Sequence, residues 1–334
     1  MPMMAFDRTP NPGSTLADGE AAERRGDYVR ALAAYTRVAE SDEGATAAEG
    51  LFRLGRVEWR QGRHDAALAW YERARARARD GALPDLEARA ENGIGAVHYS
   101  RGEYAQARAS YQLAMGRAAD PILIGQLMLN LGVIANIEGN LESALWHYLR
   151  ARALFRDHGD QQSEALALHN LGMVHADREE WEAAGDAYRQ CLGLCEFLGN
   201  RPMIAKVLLN QAEIFVAGQE FDKAVRNCEL SMSISIELGD EVERGEAYRW
   251  LGYAHRRAGH PAEADRALVE AVHVAQRFRV KLLEAEASRE LWELKRSAGD
   301  GDAARWRERA LGLFRQLGAQ REIEAIERSD ADAP

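Results

Sequence analysis

The segment LGMVHADREEWEAAGDAYRQCLGLCEFLGN, residues 171–200, carries the pattern that decides the fold. Its Leu171-Gly172 pair has counterparts roughly every 40 residues along the chain. The small residue of the pair recurs at Gly19, Gly55, Gly95, Gly132, Gly172, Ala212 and Gly252, and Trp292 takes its place in the last copy. A spacing that is kept over so many copies indicates an internal structural repeat.

Each copy contains three further sites at fixed distances from the first: a turn, then a small residue, then a large apolar one. In the quoted segment they are Glu179, Ala184 and Tyr188. The other turn sites are Gly26, Gly62, Gly102, Gly139, Gln219, Gly259 and Gly299; the other small sites are Ala31, Ala67, Ala107, Ala144, Ala224, Ala264 and Ala304; the other large sites are Tyr35, Tyr71, Tyr111, Tyr148, Cys228 and Leu268. Small residues let two helices approach closely, and large residues one turn further on fill the space between them. The spacing predicts stacked helix–turn–helix units, because one unit cannot bury its apolar face alone.

The second helix of several units is predicted to end at a repeated stop signal, at residues 158–160 (HGD), 198–200 (LGN) and 238–240 (LGD). Gly suits the position just after a helix, and Asp or Asn suits the cap of the next one. Pro84, Pro121 and Pro202 lie in equivalent linkers, where Pro can open a helix.

The order of sites in each copy resembles the signature of the tetratricopeptide repeat, which consists of Leu-Gly, a turn, then Ala and an aromatic residue. The resemblance covers residues 15–328, and the longer period is similar to that of kinesin light chains and of the sensor regions of some bacterial transcription activators. It implies an all-α fold, a right-handed superhelical solenoid of antiparallel helix pairs with about seven to eight repeats. Residues 1–14 and 329–334 lack the pattern, and we expect them to be disordered tails.

Composition and charge narrow the function classes. The formal net charge of −10 opposes binding to nucleic acid and to anionic membranes. Nowhere do 18 apolar residues follow one another, and residues 1–13 lack an apolar leader core, so we expect a cytoplasmic protein without membrane insertion. The three cysteines do not suggest a disulfide framework.

The sequence contains no motif that would indicate a catalytic centre, a cofactor or a metal site. Cys191 and Cys195 lie one helical turn apart, but we interpret them as buried apolar residues. His98, His175 and His255 share one repeat position, which points to a structural role. We therefore predict a protein that is not an enzyme.

The resemblance implies that the first helix of each pair lines a groove for partners, at positions three before and one, four and five after the small residue. Together with two of the asparagines discussed below, Asn170 and Asn210, it gives these candidates: Phe52, Arg56, Trp59, Arg60, Asn92, Tyr99, Leu129, Val133, Asn136, Asn170, Met173, Asn210, Arg249, Tyr253, Arg256, Arg257, Arg289 and Arg296. At these groove positions there are seven arginines and three acidic residues. The arginines lie in the repeats toward both ends of the chain, and the groove positions of the middle repeats are largely apolar. This distribution predicts an extended ligand with an apolar centre and acidic flanks. Alternatively, the arginines merely solvate a helix face.

Asn130, Asn170 and Asn210 each precede the Leu-Gly pair or its equivalent. A series of amides along the groove could bind a peptide backbone, or it could bridge neighbouring helices; the sequence leaves both open.

Three functions are compatible with these features. The first is an adaptor that binds a protein or peptide segment in the groove. The second is a sensor module that binds a small molecule or signalling peptide, as in bacterial regulators. The third is a structural subunit that assembles end to end.

Overall fold

The computed structural model describes residues 12–41 and 43–331, with side chains for residues 16–41 and 43–329. These residues form seventeen α-helices and no β-strand. The helices are α1 (Pro12–Arg24), α2 (Tyr28–Ala39), α3 (Gly44–Arg60), α4 (His64–Asp80), α5 (Pro84–Ser100), α6 (Tyr104–Met115), α7 (Pro121–Ile137), α8 (Leu141–Asp157), α9 (Gln161–Asp177), α10 (Trp181–Leu198), α11 (Arg201–Ala217), α12 (Phe221–Leu238), α13 (Glu241–Arg257), α14 (Pro261–Phe278), α15 (Lys281–Ser297), α16 (Ala303–Leu317) and α17 (Gln320–Ala331). The predicted all-α fold of repeated helix pairs is confirmed.

The predicted tails only partly overlap the described residues. Helix α1 begins at Pro12, a residue that suits the first turn of a helix, and α17 continues to Ala331. Residues 12–14 and 329–331 are therefore helical rather than part of a tail. The rest of both predicted tails, residues 1–11 and 332–334, lies outside the described residues.

Most glycines at the first small site of the repeat lie against a tyrosine ring of the second helix, whereas Gly252 lies against Leu268. A Cβ atom added to Gly55 would lie 2.7 Å from a ring carbon of Tyr71, closer than real Cβ contacts. The same overlap arises between Gly132 and Tyr148, where the separation would be 2.5 Å. These tyrosines are buried. The regular spacing of Gly and Tyr in the sequence therefore accounts for the close packing of the two helices in these repeats.

The last repeat shows how Trp292 fits at a site that is otherwise small. Its side chain is buried in a cluster with Phe314 of α16 and Ile326 of α17. Helix α17 packs against α16 and covers the end of the stack. The extra helix supplies the apolar surface that a tryptophan at this phase needs.

The predicted stop signals are confirmed. Gly199 and Gly239 have φ of +65° and +67°, in the left-handed region that glycine enters without strain. The next residues cap the following helices: the side chain of Asn200 accepts from the backbone N–H of Met203 at 3.3 Å, and that of Asp240 accepts from Glu243 at 3.0 Å. Pro84, Pro121 and Pro202 lie in the first turn of their helices, as expected.

Contacts divide the chain into two compact units, residues 1–167 and 168–334. In the first unit the first helices of successive pairs, α1, α3, α5 and α7, contact one another. In the second unit α11, α13 and α15 do the same. Among the described residues, second helices do not make comparable contacts with each other. Within each unit, the first helices therefore form a continuous layer on which a ligand can contact several repeats.

None of the described helices combines the length and the apolar character needed to cross a membrane.

Candidate functional site

The second unit contains a pocket of about 310 Å³ on its layer of first helices. Helix α11 contributes one side chain, α13 four and α15 three. The lining residues are Glu213, Arg249, Trp250, Tyr253, Arg256, Arg289, Glu290 and Glu293. We call this the α11–α15 pocket. It combines two aromatic rings with three guanidinium groups and three carboxylates, and it spans three successive repeats.

Arg249 lies at the centre of the charges of this pocket. Its Nε atom lies 3.1 Å from Oε2 of Glu246 and 3.3 Å from Oε2 of Glu286. Burial lowers the pKa of Arg249, but the two carboxylates raise it more, so the guanidinium stays charged. Within the described part of the chain, its two terminal nitrogens have no hydrogen-bond partner. These N–H groups remain available to an acceptor in the pocket.

Glu213 is the carboxylate of the pocket with the least compensation. It makes no ion pair with any described residue. Burial, followed by the charge of Asp177, raises its pKa, and Arg249 opposes this only in part. A hydrogen-bond donor or a cation on a ligand would stabilise the charged form of this half-buried carboxylate.

The aromatic part of the pocket is fixed by its neighbours. The rings of Trp250 and Tyr253 meet edge to face, with centroids 5.6 Å apart. The guanidinium of Arg257 donates to the hydroxyl of Tyr253 at 3.1 Å. Arg256 also lies over the Tyr253 ring, 5.6 Å from its centroid. Rigid aromatic side chains of this kind supply contact area at low cost in conformational entropy.

Arg256 is committed to an internal ion pair. It donates to the buried carboxylate of Glu290 at 2.7 and 3.0 Å, and Arg289 lies 3.4 Å from the same group. In the first unit, Arg56 and Arg60 each donate at 2.7 Å to the buried Glu23. Ion pairs inside the protein therefore neutralise much of the predicted excess of arginine. The glutamates that form them, Glu23 and Glu290, were not among the groove positions at which arginines and acids were counted.

The aromatic candidates of the first unit lie on the layer of first helices but make contacts of their own. Trp59 donates from its indole nitrogen to the Ser100 hydroxyl at 3.0 Å. Phe52 packs against Tyr71, with ring centroids 5.7 Å apart. Tyr99 is about one-third exposed.

The apolar candidates of the middle repeats differ in how far their side chains are exposed. Met173 is exposed, Val133 is half-buried, and Leu129 is buried against neighbouring helices. Leu129 is for this reason not part of a binding surface. Arg296 donates to the backbone oxygen of Ser329 at 2.5 Å, which ties α15 to the end of α17.

The asparagines bridge helices at two of their positions. Asn130 donates to the side-chain oxygen of Asn92 at 2.9 Å, and Asn210 contacts Nε2 of His169 at 2.9 Å. Asn170 lies beside His169, at a longer 3.4 Å. The bridging alternative is therefore the one that these side chains display. Asn136 differs, because its buried side-chain oxygen has no hydrogen-bond partner among the described residues.

Two pocket residues that sequence reasoning missed lie two residues before the small residue of their repeats. Trp250 and Glu290 occupy this phase and both line the pocket. At this phase, sequence reasoning considered only the asparagines Asn130, Asn170 and Asn210, so Trp250 and Glu290 were passed over. The recurrence of a charged or aromatic residue there, at Arg53, Trp250 and Glu290, was the available signal.

The cysteines and repeat-phase histidines show packing roles. Cys191 and Cys195 are buried with their sulfurs 3.9 Å apart, and burial raises the pKa of both thiols. His98 and His175 contact Glu103 and Glu180 at 2.5 and 2.6 Å, joining the end of a first helix to the start of the second. The described residues contain no group of three or more His, Cys, Asp or Glu side chains that could bind a metal ion.

Comparison with protein families identifies the repeat. Residues 45–120 and 123–196 match the model described as tetratricopeptide repeat. A stretch of 101 residues, 29% of this chain, is 37% identical to the regulatory protein AfsR of Streptomyces griseus. The match spans about a tenth of the length of that protein.

Several solved structures share the fold at low sequence identity. A Rap protein complexed with competence and sporulation factor superposes with a TM-score of 0.65 at 12% identity, covering 95% of this chain and 96% of the other. Aspartyl phosphate phosphatase F from Bacillus subtilis gives 0.65 at 11% identity, covering 94% and 95%. BtubC from P. vanneervenii gives 0.55 at 19% identity, covering 64% of this chain and 91% of the other. The family match shows tetratricopeptide repeats in residues 45–120 and 123–196, and helix pairs of the same kind continue on both sides of that stretch.

Proposed function

We propose that this chain is a non-catalytic adaptor that binds a peptide or protein segment along its first helices. The observation that carries the proposal is the α11–α15 pocket, where side chains from three repeats meet, among them the rings of Trp250 and Tyr253 and the charged groups of Arg249 and Glu213. Peptide grooves on helical repeats use this combination of flat apolar contact and a few fixed polar anchors.

The chemistry of the pocket suggests what the segment contains. The three guanidinium groups and three carboxylates of the lining balance, so net charge alone attracts neither acids nor bases. The free N–H groups of Arg249 suit a carboxylate or a backbone carbonyl, and Glu213 suits a donor. We therefore propose a segment with an apolar or aromatic residue seated on Trp250 and Tyr253, flanked by an acidic residue near Arg249 or Arg257.

The test begins with selection of a displayed random peptide library on the full chain. The selected peptide is then titrated into wild type, Tyr253→Ala, Arg257→Glu and the control Arg277→Glu. Arg277 is an exposed arginine of the second helix α14, and it has no ion pair within the described residues. We expect Tyr253→Ala, and Arg257→Glu beside it, to weaken binding about tenfold and the control to leave it unchanged. Equal affinities in all four proteins would contradict the proposal.

The sequence match to AfsR supports a second candidate, a sensor module of a larger regulator. In that case the ligand is a short peptide or small molecule that fills one pocket. Such a ligand raises the melting temperature of the folded chain by mass action. A screen of short synthetic peptides by thermal shift, repeated on Tyr253→Ala, tests this candidate. Loss of the shift in the variant would support it, and an unchanged shift would contradict it.

A further inference from the structure

A second cavity of about 290 Å³ lies in the first unit, between α1 and α3. Among the described residues, its lining consists of charged side chains: Glu20, Glu23, Arg24, Arg53, Arg56 and Arg60. We call this the α1–α3 cavity. It is separate from the α11–α15 pocket, and none of its described lining residues is aromatic, so it suits a different ligand.

Glu23 organises the cationic side of this cavity. Its buried carboxylate accepts hydrogen bonds from Tyr35 at 2.9 Å, from Arg56 at 2.7 Å and from Arg60 at 2.7 Å. Burial raises the pKa of Glu23, but the hydrogen bonds and charges of Arg56, Tyr35 and Arg60 bring it below its usual value. The ionised carboxylate fixes two guanidinium groups in place before any ligand arrives.

These guanidinium groups retain donors that Glu23 does not use. Each guanidinium carries five N–H donors, and Glu23 engages one nitrogen of each. The Nε atom of Arg56 is buried and, among the described residues, has no hydrogen-bond partner. A buried donor without an acceptor costs free energy, which an anion in the cavity would recover.

The charge of the cavity is strongly unbalanced. Four guanidinium groups face two carboxylates, so the lining by itself carries an excess of two positive charges. Arg53 pairs with Glu20 at 2.9 Å and with Glu49 at 2.5 Å, but Glu49 also pairs with Arg89. Arg24 is exposed and makes no ion pair within the described part of the chain. The excess is notable in a protein whose net charge is −10.

We propose that the α1–α3 cavity binds a phosphate group. A phosphate monoester carries a charge of about −1.5 to −2 near neutral pH, which matches the excess of the lining. Its three acceptor oxygens match the guanidinium donors that Glu23 leaves free. A single carboxylate would neutralise only half of the excess. This proposal goes beyond peptide binding in the second unit, and it does not depend on it.

Isothermal titration of the full chain tests the proposal with inorganic phosphate, O-phosphoserine and acetate at constant ionic strength. We expect saturable binding of both phosphate compounds and none of acetate. The tighter of the two phosphate ligands identifies the source, a free anion or a phosphorylated side chain. Binding of acetate as strong as that of phosphate, or no binding of either phosphate compound, would overturn the proposal.

Arg24→Gln and Arg25→Gln form a matched pair of variants. Both residues are exposed, so neither change endangers the fold, but only Arg24 lines the cavity. We expect Arg24→Gln to weaken phosphate binding about tenfold and Arg25→Gln to leave it unchanged. Equal effects of the two changes would assign the binding to general surface charge.

The pH dependence supplies a second readout. The second pKa of a phosphate monoester is about 6, whereas sulfate remains a dianion throughout. We expect phosphate binding to weaken as the pH falls from 7.5 to about 5.5 while sulfate binding stays constant. Parallel weakening of both anions would mean that the protein itself titrates, and it would contradict a preformed site for a dianion.

Discussion

Arg256 donates from both Nε and Nη2 to a single oxygen of Glu290, at 3.0 and 2.7 Å, across two successive repeats. The Glu290 side chain is about 5% exposed, so this arginine neutralises a charge that solvent does not reach. Arg257, the next residue, is exposed and contacts the hydroxyl and the ring of Tyr253. Two adjacent arginines of one helix therefore have different roles, one in stability and one at the surface.

This difference predicts unequal effects of charge reversal. Arg256→Glu places a second carboxylate beside buried Glu290, and we expect it to lower the free energy of unfolding by roughly 3 kcal/mol. Arg257→Glu removes no ion pair seen among the described residues, and we expect a change within about 0.5 kcal/mol. Urea unfolding followed by circular dichroism measures both. Equal losses would show that the ion pair with Glu290 does not stabilise the fold.

The contact between Gly172 and Tyr188 predicts a second stability difference. A Cβ atom at position 172 would overlap the Tyr188 ring, and we expect Gly172→Ala to cost about 1–3 kcal/mol. Gly193 provides the matched control within a helix, because a Cβ atom there meets no atom within 4 Å. Gly193→Ala should stabilise the protein by about 0.5–1 kcal/mol through its higher helix propensity. Thermal unfolding of both variants checks the signs, and a stabilising Gly172→Ala would refute the packing described here.

Glu243 predicts a pH dependence of stability. Burial, followed by the charges of Asp240 and Glu246, raises its pKa to about 7 from an ordinary value of 4.5, although Lys206 opposes this. An acid with a higher pKa in the folded state binds its proton more tightly there, so its effect favours folding at low pH. That contribution is lost as the pH rises from about 4.5 to 7.

The variant Glu243→Gln isolates this effect from the other carboxylates. At pH 8 we expect the variant to unfold at a higher urea concentration than wild type, because Gln avoids a buried charge. Near pH 4 the two midpoints should coincide. A variant that is less stable than wild type at pH 8 would show that the ionised carboxylate makes favourable contacts instead.

The packing within each repeat could be predicted from the sequence because it depends on local spacing. Gly172 and Tyr188 belong to one helix pair, and a fixed separation along the chain brings them together. The stop signals at residues 198–200 and 238–240 are also local, since a left-handed glycine and an adjacent cap depend only on their own backbone.

The charge of the candidate surface could not be predicted in the same way. The partners of Arg56 and Arg256 lie 33 and 34 residues away, in a neighbouring repeat. Such pairs depend on the offset and rotation between successive helix pairs, which the repeat length does not determine. Glu23 itself occupies the phase four residues after Gly19, the same phase as Trp59 after Gly55, so applying the groove positions to the first copy would have included it.

The central claim, that a peptide binds on the layer of first helices, is tested most directly by site-specific photo-crosslinking. The photoreactive residue benzoylphenylalanine is placed at Tyr253 in one protein and at Phe197 in another. Tyr253 lines the α11–α15 pocket, whereas Phe197 is a highly exposed apolar residue of the second helix α10. With the library-selected peptide, our account predicts a crosslinked product from position 253 and none from position 197. Crosslinking from position 197 without any from position 253 would contradict it.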